Sequence, residues 1–107
     1  MSDLDFTISC IVTFFSKKRR TPPNLNNGKY CPHLVIKGSE QLLGVNFIDG
    51  EEVIFDKQIG ANALPLHETA DYSALQAGTE FLIMDSGNVV GEGIVKEIFQ
   101  HKPHGRK

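Results

Sequence analysis

Five of the chain's eleven basic side chains, Lys17, Lys18, Arg19, Arg20 and Lys29, fall between residues 16 and 32, with Thr21 and Tyr30 among them and His33 just beyond. Ammonium and guanidinium groups neutralise phosphate, while hydroxyls, aromatic rings and imidazole add hydrogen bonds and base stacking. Bases interleaved with such groups on one segment point to nucleic-acid chemistry, and to RNA in particular. A second grouping, Cys31-Pro32-His33, offers a thiol and an imidazole, with His67, His101 and His104 as further donors. It lacks the paired CxxC or HxxxH spacing of zinc ligands, so no metal site is expected. Gly91-Glu92-Gly93 resembles a phosphate loop only superficially, because it lies inside a predicted strand with no helix N-terminus to hold the anion. No GxSxG, HExxH or P-loop pattern occurs, Glu51-Glu52 lies at a predicted turn, and neither His33 nor His67 has a nucleophile beside it in sequence. A chain without nucleophile, metal or paired base is expected to be a non-enzyme that uses no cofactor.

The elements that position these residues read as strands. Phe6, Ile8, Cys10, Val12 and Phe14 alternate with Thr7, Ser9, Ile11 and Thr13, the period-2 pattern of a strand with one buried face. Residues 16–32 follow, with three prolines, three asparagines and a glycine that forbid regular structure through most of the segment. Loops of this length in compact domains are usually functional or disordered, which makes this one the leading candidate surface. Further apolar runs occur at His33–Lys37, Leu42–Ile48, Val53–Asp56 and, more weakly, Ala63–His67. Asp49-Gly50 signals a hairpin between the second and third of these. Pro65 predicts an edge strand or a bulge. Residues 69–78 suit a short helical turn or a crossover loop. Glu80–Asp85, a turn at Ser86-Gly87-Asn88, and Val89–Phe99 form the clearest hairpin, with Gly91 and Gly93 marking a bend or bulge.

A chain of 107 residues, 40% hydrophobic and 22% charged, is one ordinary domain, able to bury roughly two thirds of its unfolded surface. Many short strands without a long helix indicate an all-β barrel or sandwich, and closure would remove the exposed edges. Residues 1–99 are expected to form this single domain and residues 100–107 a basic, flexible tail. No apolar run approaches a membrane span, and the acidic start Met1-Ser2-Asp3-Leu4-Asp5 lacks a secretory signal, which predicts a cytoplasmic protein. Cys10 and Cys31 are expected to be thiols, although one bridge between them is allowed by count alone.

The charge is bipolar. Residues 1–39 carry six bases and two acids, whereas residues 40–97 carry two bases and eleven acids. Such a chain can present a basic patch to phosphate and an acidic face elsewhere.

The order of motifs resembles the third domain of bacterial elongation factor Tu. The strand 6–15, the loop ending Arg19-Arg20-Thr21-Pro22-Pro23, and Gly28-Lys29-Tyr30-Cys31-Pro32-His33 are similar to that family's Gly-Arg-x-Thr-Pro loop and Gly-Tyr-Arg-Pro-Gln segment. Residues from Ala77 to Val95 are similar to its closing hairpin. The resemblance covers about residues 5–98. It implies a small closed six-stranded antiparallel β-barrel and a surface that meets tRNA or other translation components. Cys31, His33 and Asn88 stand where the family has arginine, glutamine and arginine, and Asp71-Tyr72 replaces a histidine-proline element.

Two functions follow as expectations. The first is a non-catalytic binding module that engages RNA, such as tRNA, or a translation-machinery protein through Lys17, Lys18, Arg19, Arg20, Thr21, Lys29, Tyr30 and His33. The second is a protein-interaction role, such as that of an immunity or antitoxin-like protein, in which Asp49, Glu51, Glu52, Glu68 and Asp71 meet a basic partner.

Overall fold

The computed structural model describes residues 6–18, 20–67 and 70–101. Six strands, β1 (Phe6–Phe14), β2 (His33–Ile36), β3 (Leu43–Gly50), β4 (Ile59–Pro65), β5 (Glu80–Asp85) and β6 (Asn88–Gln100), close into an antiparallel barrel. Their order around the wall is β1-β4-β3-β2-β5-β6, with β6 returning to pair with β1. Closure leaves every strand with two neighbours and no open edge. Apart from a single 3-10 turn at Ser16–Lys18, no helix occurs among the described residues.

The alternation in the sequence is the alternation in the barrel. Along β1 the odd positions of the strand, Phe6 through Phe14, point inward and the residues between them outward. The interior is filled by side chains, as a barrel this narrow requires. Phe14, Phe47 and Phe81 are its largest fully buried members, and all buried apolar residues form one cluster.

Several local expectations are corrected. Asp49-Gly50 is no hairpin turn, for β3 runs through both residues, which pair with Asn62 and Ala61. An extra residue at Ile48 shifts the register, and Asp49 Oδ1 then accepts a hydrogen bond from Asn62 Nδ2 at 2.6 Å. Residues 51–58 leave the sheet. Val53 is buried there and Phe55 packs against the core half-buried, so the predicted strand at Val53–Asp56 is a loop with a buried anchor. Pro65 is the buried last residue of β4 rather than part of an edge. In β6 the unpaired extra residues are Val90 and Lys96, not Gly91 or Gly93. The hairpin between β5 and β6 turns on Ser86 (φ 54°) and Gly87 (φ 82°), two consecutive positive values that match the right-handed strand twist. Gln100 still pairs with Phe6, and His101 Nε2 lies 2.6 Å from Thr7 Oγ1, so β6 extends past the expected boundary. The remainder of the expected tail, residues 102–107, lies outside the described residues.

Candidate polyanion-binding loop

The loop between β1 and β2 is fastened at both ends and in the middle. At its start, Phe15 N–H donates to Val90 O (2.9 Å) and Ser16 N–H to the Asp56 carboxylate (3.2 Å). In the middle, Leu25 is 1% exposed, a core residue contributed by a loop, and Pro23 is buried beside it. Asn26 then grips β3: its Nδ2 donates to Gly50 O (3.0 Å) and its Oδ1 accepts from Gly50 N–H (3.1 Å). Asn24 and Asn27 close short turns by accepting from the N–H groups of Asn26 (2.8 Å) and Lys29 (3.0 Å). Such side-chain-to-backbone bonds are why asparagine recurs where the chain cannot use a sheet ladder.

These anchors hold Lys17, Lys18, Arg20, Thr21 and Lys29 at the exposed surface. Among the described residues, none of the four cations forms an ion pair. Lys37 contrasts with them. Its Nζ lies 3.1 Å from Glu80 and 3.4 Å from Glu92, and the hydrogen bond to Glu80 leads the effects that raise its pKa above the ordinary 10.5. Arg19 lies outside the described residues.

The two ring residues of the expected site go elsewhere. Tyr30 is half-buried, its ring stacked on Phe47 (centroids 5.9 Å apart, planes at 22°) and edge-on to Phe14 (6.0 Å). That ring serves the core, which removes it as an open platform for a base. His33 opens β2 on the outer wall and stacks with His67. Of the expected site residues in the loop, the described cations and Thr21 are the ones left at its exposed surface.

The acidic residues are partly assembled. Asp49, Glu51 and Glu52 lie together against the middle of the basic loop. Glu51 and Glu52 line a depression of about 340 Å³ with Pro22, Pro23 and Asn24. It adjoins a second of about 410 Å³, lined by Asp49, Asn62 and Lys96, and Asn26 and Glu51 border both. Glu68 lies outside the described residues. Asp71 is committed to its own turn, where hydrogen bonds from Ser73, chiefly that of the side chain, hold its carboxyl below the ordinary value. The separation of charge along the sequence is thus not a separation into opposite faces, since the acidic end of β3 abuts the proline segment of the basic loop.

Both cysteines are free thiols: Cys31 is exposed and Cys10 buried, its Sγ 3.6 Å from Ala61 O. Burial pushes the Cys10 thiol up to about 12. Among the described residues no three His, Cys, Asp or Glu side chains cluster as ligands for one metal ion, and no helix is long and apolar enough to cross a membrane. No protein-family model matches this chain, and no curated protein matches it.

Proposed function

We propose that the chain is a non-catalytic binding module for RNA or a similarly phosphate-rich partner, of the barrel type found in translation elongation factors, working in the cytoplasm. The observation that carries this reading is the set Lys17, Lys18, Arg20 and Lys29, exposed and without ion pairs among the described residues, on a loop that Leu25 and Asn26 fasten to the barrel. Cations held without carboxylate partners keep their full charge for phosphate, and the fixed backbone lowers the ordering cost of binding. The closed six-stranded barrel supports the likeness to the third domain of elongation factor Tu in architecture, although fold alone does not assign a ligand. With Tyr30 occupied in the core, recognition through this loop rests on phosphate rather than base identity.

The test is a salt series of binding to bulk tRNA. The wild type should bind with an affinity that falls steeply with salt. The triple variant Lys17→Ala/Lys18→Ala/Arg20→Ala should flatten the slope of log K against log salt by about 2 to 3. Absence of binding at low salt overturns the reading.

A second reading draws on the two adjoining depressions that Glu51 borders, with Asp49 and Glu52 on their rims. In it, the chain acts as an immunity or antitoxin-like protein whose acidic rim meets a basic partner. Binding of oligolysine that is lost in Glu51→Gln/Glu52→Gln, together with failure to bind tRNA, would favour it.

A further inference from the structure

We propose that His33 and His67 form a two-imidazole site for a borderline divalent transition-metal ion, Zn2+ being the simplest, on the outer wall of the barrel. His33 is the first residue of β2 and lies between Gly44 of β3 and Met84 of β5 in the sheet register. Leu34, the next residue, is buried, so His33 belongs to the outward set. Gly44, its partner, has no side chain, and the His67 ring fills the space thereby left open, beside the ring of His33. A Cβ at Gly44 would lie 2.6 Å from His67 Nε2, inside any tolerable contact, and 3.7 Å from His33 Cδ2. The two imidazoles thus stand side by side over Gly44, with ring centroids 6.4 Å apart and planes 14° from parallel, so that a rotation about the exposed His67 side chain suffices to bring both to one ion.

The placement of His67 is enforced by the backbone. Its N–H donates to the Tyr72 hydroxyl at 3.2 Å, and that hydroxyl donates in turn to Gly44 O, the carbonyl of the residue beneath the ring. Among the described residues, no ring nitrogen of His33 or His67 has a hydrogen-bond partner. Two imidazoles offered to solvent at short range supply the lone pairs that Zn2+, Cu2+ and Ni2+ favour. Sites for Mg2+ or Ca2+ are built instead from carboxylate and carbonyl oxygen. With no third ligand clustered there among the described residues, the remaining positions on the ion go to water, and the site is open and exchangeable rather than closed and structural. Coordination requires neutral imidazoles, so affinity falls as pH falls.

The test is imidazole-detected NMR of the full chain titrated with Zn2+, and separately with Mg2+. Saturable one-to-one shifts at His33 and His67 with Zn2+ but not Mg2+ are expected. His33→Gln or His67→Gln should weaken binding by at least about tenfold, the lower end of the loss caused even by removing an outer partner of a metal ligand. Gly44→Ala should weaken it while both imidazoles remain, because the methyl occupies the position of the His67 ring. An unchanged amide spectrum outside residues 31–46 and 64–72 establishes that this variant is folded. Shifts confined to His101 and His104, or binding that survives His67→Gln and disappears with Cys31→Ser, would place the ion elsewhere and overturn the proposal.

Discussion

The hydroxyl of Tyr72 donates its proton to the carbonyl oxygen of Gly44 and accepts the N–H groups of Leu66 and His67, each at 3.2 Å. One side-chain oxygen thereby ties the connection between β4 and β5 to the wall of β3, while the ring beneath it meets Phe6 edge-on at 6.2 Å. Tyr72→Phe keeps the ring and strands the His67 N–H, while Leu66 N–H and Gly44 O keep the bond of 3.1 Å that they make to each other. A loss of about 1–3 kcal/mol is expected, the cost of leaving buried polar groups unmatched, measured as a shift in the urea midpoint at constant m-value. No shift would mean that water replaces the hydroxyl and that the connection is held by apolar packing alone.

Leu25 reaches the core through a gap that a side chain at position 50 would close. A Cβ at Gly50 would lie 2.9 Å from Leu25 Cδ1 and 3.1 Å from Ala61 Cβ. Gly50→Ala should therefore destabilise the protein by about 1–3 kcal/mol through overpacking and speed tryptic cleavage within 17–29. Leu25→Ala removes the obstructing atoms, at a cost of about 2–5 kcal/mol for the emptied site. In a double-mutant cycle the two losses should sum to more than the loss in the combined variant. Strict additivity would show that Gly50 and Leu25 do not compete for space.

What could be read in the sequence was periodic, and what could not was set by contacts distant along the chain. The alternation of Phe6 through Phe14 needs only the pleat to become β1, and Ser86-Gly87 needs only local twist to become a turn. Asp49-Gly50 carries the same kind of turn signal, yet tertiary pairing overrides it, because Asn62 and Ala61 lie opposite and offer hydrogen bonds to a continuing strand. Val53 reads as a strand residue because burial of one side chain looks the same in a strand and in a plug. The loop cations were legible as charge. The occupation of Tyr30 by Phe47 was not, because an aromatic residue in a polar segment carries no mark of which surface it faces. His33 and His67 are separated by two whole strands, and only the register of β3 with both β2 and β4 brings them together.

The Cys10 thiol, raised from 9.0 to about 12 by desolvation, makes stability depend on alkaline pH. The folded state keeps its proton where the unfolded chain has lost it. This contribution is therefore whole below about pH 9 and is lost as pH rises toward 12, at no more than about 1.4 kcal/mol per pH unit. The difference in unfolding free energy between wild type and Cys10→Ala should be constant from pH 6 to 8 and move in favour of the variant between pH 9 and 11. In the folded protein at pH 8, a thiol reagent should label Cys31 quickly and Cys10 only at the rate of unfolding. Rapid labelling of both would mean that the barrel opens between β1 and β4 far more often than a closed wall allows.

Lys37 and Lys29 separate a committed cation from a free one. Lys37 bridges Glu80 and Glu92 on the outer wall, so a phosphate arriving there meets two carboxylates for one ammonium. Lys29 has no carboxylate partner among the described residues. Counterion release counts only the cations that phosphate engages, so Lys29→Gln should reduce the salt slope of tRNA binding by about 1. Lys37→Gln should change that slope far less, because Lys37 is already paired with Glu80 and Glu92 and gives up no bound counterion to phosphate. The measurement is the same tRNA salt series with each single variant. If Lys37→Gln lowers the slope as much as Lys29→Gln does, the polyanion runs along the barrel wall, and the assignment of the contact to the loop between β1 and β2 is lost.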